Sequence, residues 1–181
     1  SGDRLVFLPD SIPGIGFQTF YIMEEAPQTS TAHGVSATET TLENSYITVK
    51  LDQHGQLTSV FDKEANREVL GAGEKGNVLL MAEDLPNFWD AWDIDKFYRQ
   101  TARAIVGNES IEVIASGPIE ARIRVTRKFG TGSVWTQDIV LGCESKQIDF
   151  ETTVDWHETH RVLKVAFPID VNATDATYEI Q

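Results

Sequence analysis

The sequence contains few of the residues that build disulfides, metal sites and membrane spans. It has one cysteine, Cys143, and four histidines among 181 residues. A lone cysteine cannot form a disulfide within the chain, which favours a reducing compartment and predicts a cytoplasmic location. The neighbouring sequence supplies no base for the Cys143 thiol, so we do not expect a nucleophile there. No apolar run reaches the roughly 18 residues of a membrane helix.

Basic residues are also scarce. Fifteen Lys and Arg stand against 28 Asp and Glu, which gives a net charge of −13. This charge argues against nucleic acid or an anionic membrane as a partner bound through bulk electrostatics. The length of the chain allows one sizeable hydrophobic core.

No segment shows a convincing helical periodicity, and strand patterns dominate instead. Residues 46–51 and 56–62 alternate around the turn Asp52–Gly55, with Ile47, Val49 and Leu51 predicted to point inward. In residues 119–129, apolar residues share one parity, and we expect the Arg-rich opposite face to be solvated or packed against acidic groups. Further strands are predicted at 4–8, 16–23, 67–70, 78–81, 101–106, 110–115, 134–141, 147–156 and 161–167. This pattern predicts an all-β sandwich or barrel.

The composition divides the chain into three parts. Residues 1–26 are predicted to be the end of a preceding small β domain, and residues 27–41, which are mostly small and polar, to be a linker. Residues 42–181 are predicted to form an incomplete β domain. Because the chain begins without Met and ends within a predicted strand, we expect it to be a piece of a longer protein.

One stretch, Leu85–Tyr98, fits neither strand nor helix. It holds two Trp, three Asp and three other aromatic residues, and we call it the Trp-Asp loop. Aromatic faces beside carboxylates suit sugars, because the ring C–H face packs on Trp while carboxylates accept hydrogen bonds from hydroxyls. The alternative is a buried aromatic plug that closes one end of a sandwich. The candidate substrate-rim residues are Trp89, Asp90, Trp92 and Asp93.

Other catalytic or metal-binding arrangements have little support. His157 and His160 are three residues apart, so they would face opposite sides of a strand, and a polar turn between strands is the better interpretation. Asp90, Asp93 and Asp95 are close enough in sequence for two to face one cavity, as in glycosidases, but the sequence gives no separation between them. We predict no catalytic residue and no metal site in this chain.

Several segments nevertheless resemble one enzyme family. Phe88–Asp95 resembles the tryptophan–aspartate segment of the α-mannosidases of glycoside hydrolase family 38, in their cytosolic and bacterial branch. Pro13–Phe20 resembles the end of the small domain that precedes the family's large β domain. Glu43–Leu70 is similar to the opening hairpin of that β domain, and Asp155–Glu158 with Leu163–Pro168 is similar to a later block. These segments occur in the family's order and span most of the chain.

The resemblance implies a retaining hydrolase of terminal α-mannosyl residues. In the family an Asp nucleophile and a second, acid/base Asp act beside a zinc ion, or another divalent metal, held by His and Asp side chains. Those residues belong to an upstream α/β domain, so the resemblance places no catalytic residue and no cofactor in this chain. It also implies an antiparallel β-sandwich of the galactose-mutarotase-like supersandwich type, truncated at the C-terminus.

Two hypotheses follow. In the first, the chain is the non-catalytic β-sandwich of an α-mannosidase, packs on the catalytic α/β domain of the same chain, and meets mannosides through its Trp-Asp loop. Uncovered strand edges could pair two copies into a homo-oligomer. The alternative is a stand-alone carbohydrate-binding module.

Overall fold

The computed structural model describes residues 5–9, 11–22, 34–90, 92–107 and 109–178. These residues form short and long antiparallel strands joined by turns, with one helical turn. The elements are β1 (Ser36–Thr38), β2 (Thr41–Glu43), β3 (Ile47–Leu51), β4 (Leu57–Asp62), β5 (Arg67–Glu68), β6 (Val78–Glu83), α1 (Tyr98–Thr101), β7 (Arg103–Ala104), β8 (Glu109–Ser116), β9 (Glu120–Phe129), β10 (Ser133–Gly142), β11 (Ile148–Asp155) and β12 (Arg161–Ala166).

Three sheets contain all of these strands. A five-stranded sheet has the order β1-β2-β3-β4-β5, a four-stranded sheet the order β11-β10-β9-β8, and a three-stranded sheet the order β12-β6-β7. Every strand pair within them is antiparallel. The predicted all-β antiparallel sandwich is therefore confirmed.

The predicted hairpin is the β3–β4 pair of the five-stranded sheet. Ile47, Val49 and Leu51 are buried, as their alternation predicts. The Asp52 carboxylate closes the turn by accepting hydrogen bonds from the backbone N–H of His54 at 2.8 Å and of Gln56 at 3.0 Å. An aspartate side chain that binds backbone two to four residues ahead is typical of tight turns.

In the four-stranded sheet, β9 shows the predicted two faces. Ala121, Ile123 and Val125 are fully buried on the inner face. On the outer face, Arg122 is only 3% exposed, and its Nη1 donates to Asp138 at 2.8 Å and to Glu151 at 2.6 Å. The polar face thus packs against acidic groups, which is the second of the two environments predicted for it.

The hydrophobic core lies between the sheets. Leu42, Val49 and Leu57 of the five-stranded sheet form one cluster with Ile139 of the four-stranded sheet and Leu79 of β6. Each of these side chains is at most 1% exposed. Full burial of such a side chain contributes about 1.5–3 kcal/mol, so this cluster holds the three sheets in one arrangement.

Three secondary-structure predictions are wrong or need correction. The segments 4–8 and 16–23 were predicted as strands, but the described residues 5–9 and 11–22 form none, and Ile15 and Phe17 there are strongly exposed. In the described part of the chain no strand pairs with them, and an apolar alternation without a partner strand does not make a stable sheet. The strand predicted at 101–106 is reduced to the two residues of β7, because the helical turn α1, which the sequence pattern does not predict, extends to Thr101.

Part of the predicted linker 27–41 is also ordered into the sheet. Within it, β1 pairs with β2, Val35 is buried, and the backbone N–H of Ala37 donates to Ser116 Oγ at 2.9 Å. Residues 23–33 lie outside the described part of the chain. The division into 1–26, 27–41 and 42–181 therefore stays a prediction. Within the described residues, no helix is long and apolar enough to cross a membrane.

Candidate functional site

The Trp-Asp loop connects β6 to β7 and ends in α1. At its start, the backbone N–H of Asp84 donates to the carbonyl of His160 at 2.9 Å. At its end, Thr101 Oγ accepts a hydrogen bond from the backbone N–H of Glu83 at 3.0 Å. The loop therefore leaves and rejoins the three-stranded sheet at the same end of β6.

Two local turns shape the loop. In the first, the Trp89 carbonyl accepts hydrogen bonds from the backbone N–H of Trp92 at 2.9 Å and of Asp93 at 3.0 Å. Trp89 has φ of 65°, a left-handed conformation that is rare for a bulky residue. In the second, Asp95 Oδ1 accepts the backbone N–H of Phe97 at 3.1 Å. The left-handed backbone of Trp89 is strained, and strained backbone concentrates at ligand-binding segments.

The loop encloses a shallow depression of about 580 Å³. Of the four candidate rim residues, Trp89 and Asp93 line it, together with Asp95 and neighbouring aromatic residues. Asp90 and Trp92 are exposed but are not part of its lining. The structure thus brings one indole and one carboxylate of the predicted set together and leaves the other two outside.

The hypothesis of a buried aromatic plug is wrong for this chain. Trp89 is 75% exposed, Trp92 88% and Phe88 74%. Other large apolar residues of the loop are also exposed, namely Leu85, Ile94 and Phe97. Six exposed large apolar side chains within one loop are typical of an interaction site.

Cations surround the far end of the loop. Lys164 Nζ donates to the Tyr98 hydroxyl at 2.8 Å, and this hydrogen bond, followed by one from Arg99, lowers the pKa of the Tyr98 phenol. Lys96 Nζ lies 5.4 Å from the centroid of the Phe97 ring. The site therefore combines aromatic faces, carboxylates and ammonium groups, which are groups that bind sugar hydroxyls and ring faces.

The described residues do not fit a metal ion. No group of three or more His, Cys, Asp or Glu side chains among them converges on a common point. His157 Nε2 lies 3.1 Å from Asp155 Oδ1, and Glu158 accepts the backbone N–H of Thr131 at 2.7 Å, so residues 156–160 form the predicted polar turn between β11 and β12. Cys143 is buried, and burial raises the pKa of its thiol.

Sequence reasoning missed a buried polar cluster beneath the hairpin turn. Arg127 is 2% exposed and donates to the backbone carbonyls of His54 and Ile105. The Glu109 carboxylate contacts His54 Nδ1 and lies 3.9 Å from Arg127 Nε. One signal was present, because Arg127 falls on the parity of β9 that is otherwise apolar.

Comparisons with known proteins cover the β part of the chain. The sequence profile of the family described as "Glycosyl hydrolases family 38 C-terminal domain" matches residues 42–181. Human Alpha-mannosidase 2C1 is 36% identical over 142 residues, which are 78% of this chain and 14% of that protein. Alpha-mannosidase G of Dictyostelium discoideum is 34% identical over 146 residues, which are 77% of this chain and 13% of that protein. The chain thus spans a small part of the length of these relatives.

Proposed function

The chain belongs to the glycosyl hydrolases of family 38, within their C-terminal domain, and from this we propose that it is the non-catalytic β-sandwich of a zinc-dependent α-mannosidase. The parent enzyme hydrolyses terminal α-mannosyl residues with retention, in the breakdown of mannose-containing glycans. The relatives that support this proposal carry the name α-mannosidase and are about seven times longer than the matched segment.

The catalytic machinery is proposed to lie in an α/β domain elsewhere in the parent chain. The described residues contain no metal-binding cluster that could serve it. The zinc ion, or another divalent metal, would polarise or bind mannose hydroxyls in that domain. This chain contributes a rigid scaffold and one projecting loop. A cytoplasmic location belongs to the same proposal and is favoured by the single, buried Cys143.

The single structural observation that supports packing on a catalytic domain is the exposure of the Trp-Asp loop. Six large apolar side chains project from it into solvent, and burying them against the catalytic domain would gain about 25 cal/mol for each Å² covered. The loop then lies at the seam between the two domains, where sugar sites often form.

Within the loop, Trp89 and Asp93 are the side chains proposed to touch substrate. Both line the same depression, so a sugar ring can pack its C–H face on the indole while a hydroxyl donates to the carboxylate. Asp90 and Trp92 lie outside the depression and are proposed to contact the catalytic domain at the rim.

The test uses the full-length enzyme with Asp93→Ala. A hydrogen bond to a charged group is worth about 1.5–3 kcal/mol, so kcat/KM on an aryl α-mannoside should fall about 10- to 100-fold. The control, Asp175→Ala, removes an exposed carboxylate outside the loop and should leave kcat/KM unchanged. Unchanged activity in Asp93→Ala, at an unchanged melting temperature, would reject the rim role.

Calorimetry separates this proposal from a stand-alone carbohydrate-binding module. A stand-alone module must bind mannosides with its own residues. In the proposed enzyme the catalytic domain supplies the rest of the site, so this chain alone should show no heat of binding. We therefore expect the 181-residue chain to give no signal with methyl α-mannoside at millimolar concentration. Millimolar or tighter binding would favour the module.

A further inference from the structure

Both ends of the Trp-Asp loop are held by β12 and by His160, the residue that precedes it. The start is held through the backbone hydrogen bond of Asp84 to His160 and through Arg161 Nη1, which lies 3.1 Å from Glu83 Oε1. The end is held through Lys164, whose Nζ donates to the Tyr98 hydroxyl at 2.8 Å and lies 4.5 Å from the centroid of the same ring. Three residues, His160 and the β12 residues Arg161 and Lys164, thus hold the two ends of the loop.

Lys164 matters at the end of the loop because α1 is short and buries no side chain of its own. This helix has four residues, none of them buried, and no side-chain N-cap. A single helical turn is not stable by itself. Thr101 donates to the Tyr98 carbonyl at 3.1 Å and accepts from the Glu83 backbone, which fixes the backbone of the turn but not the direction of the Tyr98 ring.

The second cation at this ring cannot replace Lys164. Arg99 Cζ lies 5.9 Å from the Tyr98 centroid, but Arg99 is part of α1 and moves with it. Lys164 instead sits in the middle of β12 and pairs in register with Leu80 of β6. Lys164 therefore connects the aromatic ring to a sheet whose position is set by the core.

A chain of contacts carries this anchoring into the depression. The backbone N–H of Tyr98 donates to the Asp95 carbonyl at 3.1 Å, and Asp95 Oδ1 accepts the N–H of Phe97. Asp95 and Phe97 both line the depression beside Trp89 and Asp93. A displacement of Tyr98 that includes its backbone therefore reaches Asp95 and Phe97, which share the depression with the residues proposed to meet substrate.

We propose that Lys164 is a positioning residue whose contacts with Tyr98 set the direction in which the Trp-Asp loop projects from the sheet. We call this pair of contacts, the hydrogen bond to the hydroxyl and the cation–π contact with the ring, the clasp. The clasp itself is a property of this chain, and its effect on catalysis rests on the proposed function. Lys164 does not touch substrate in this account. It acts through Tyr98 and Asp95.

Hydrogen exchange in the 181-residue chain tests the clasp. In Lys164→Met, the amides of Asp93, Tyr98 and Ala102 should exchange about fivefold faster or more, while amides of β9 and β10 keep their rates. Lys146→Met is the matched control, because Lys146 Nζ also lies over a tyrosine ring, 6.0 Å from the Tyr46 centroid, but far from the loop in sequence. It should leave the loop amides unchanged.

The full-length enzyme supplies the second readout. Lys164→Met should raise KM for an aryl α-mannoside severalfold with kcat retained, and Lys164→Arg, which keeps a cationic donor, should restore KM. Unchanged exchange of the loop amides in Lys164→Met would overturn the clasp. Faster exchange with unchanged KM would support the clasp and reject the rim role of the loop.

Discussion

Arg127 and Trp135 stand directly opposite each other on β9 and β10, and the guanidinium carbon lies 5.6 Å from the centroid of the indole ring. Both side chains are 2% exposed on the inner face of the four-stranded sheet. The cation is placed over the negative face of the ring, which is the favourable geometry for such a pair. Burial lowers the pKa of the Arg127 guanidinium, and the nearby Glu109 carboxylate opposes that shift.

Replacement of Arg127 by Ala should destabilise the chain by about 3–5 kcal/mol. The substitution takes the guanidinium away from the buried Glu109 carboxylate, and removing one partner of a buried pair costs about this much. It also removes the hydrogen bonds that Arg127 donates to the backbone carbonyls of His54 and Ile105. Urea denaturation followed by tryptophan fluorescence measures the effect.

The double variant Arg127→Met with Glu109→Gln is the informative comparison. It removes both charges and keeps most of the side-chain volume. Its free energy of unfolding should therefore fall less than that of Arg127→Ala. If Arg127→Ala changed the free energy of unfolding by less than about 0.5 kcal/mol, the typical range for surface sites, the buried cluster would have no structural role.

Acid stability should depend on Asp138. The hydrogen bond from Arg124 holds the pKa of this carboxyl below its ordinary value, burial raises it, and the bond from Arg122 lowers it further. A carboxyl with a lowered pKa in the folded state stabilises the fold above its unfolded pKa of about 3.9, and this contribution disappears as the pH falls through the folded pKa.

The variant Asp138→Asn should therefore melt at a lower temperature than the wild-type chain at pH 7, and the difference should shrink from about pH 4 downward. Thermal melts between pH 2 and pH 7 measure it. Asp175→Asn, which leaves the bonds of Arg122 and Arg124 to Asp138 in place, should follow the wild-type curve. A constant difference between Asp138→Asn and wild type at all pH values would show that ionisation of Asp138 is not involved.

Gly55 in the hairpin turn should tolerate no side chain. Its φ is +68°, and a Cβ there would lie 2.7 Å from Cγ2 of Val125. The left-handed backbone costs a non-glycine residue about 1–2 kcal/mol, and overpacking adds about 1–3 kcal/mol. Gly73→Ala separates the two effects, because Gly73 has φ of +77° with nothing within 4 Å of a Cβ.

Gly55→Ala should thus lower the free energy of unfolding clearly more than Gly73→Ala does. Urea titration of both variants checks the difference. Equal decreases in the free energy of unfolding would mean that Val125 moves away from the new methyl group at no energetic cost.

The sequence predicts much of the fold because burial follows alternation. Residues 119–129 and 46–51 show their inner faces directly in the pattern of apolar residues, and β9 and β3 have those faces buried. The same rule misplaces residues 16–23, because the alternating residues 16–22 pair with no strand among the residues that the structure describes. Alternation describes one strand, whereas pairing depends on where other strands lie, which a local pattern does not show.

The candidate site was predictable in composition but not in arrangement. The density of Trp and Asp in residues 85–98 marks the loop, yet only the structure shows that Trp89 faces the same depression as Asp93 while Trp92 does not. The left-handed φ of Trp89 turns the chain between them. Lys164 is 66 residues from Tyr98, and no local pattern connects two residues so far apart.

Hydroxyl-radical oxidation of Trp89 and Trp92, measured in the 181-residue chain and in the full-length enzyme, tests most directly whether the Trp-Asp loop lies against a catalytic domain. Both indoles are more than 70% exposed in this chain, whereas Trp135 is 2% exposed and serves as the internal reference. We expect Trp89 and Trp92 to oxidise several times more slowly in the full-length enzyme, with Trp135 protected in both. Equal rates for Trp89 and Trp92 in the two proteins would contradict the placement of the loop at the domain seam.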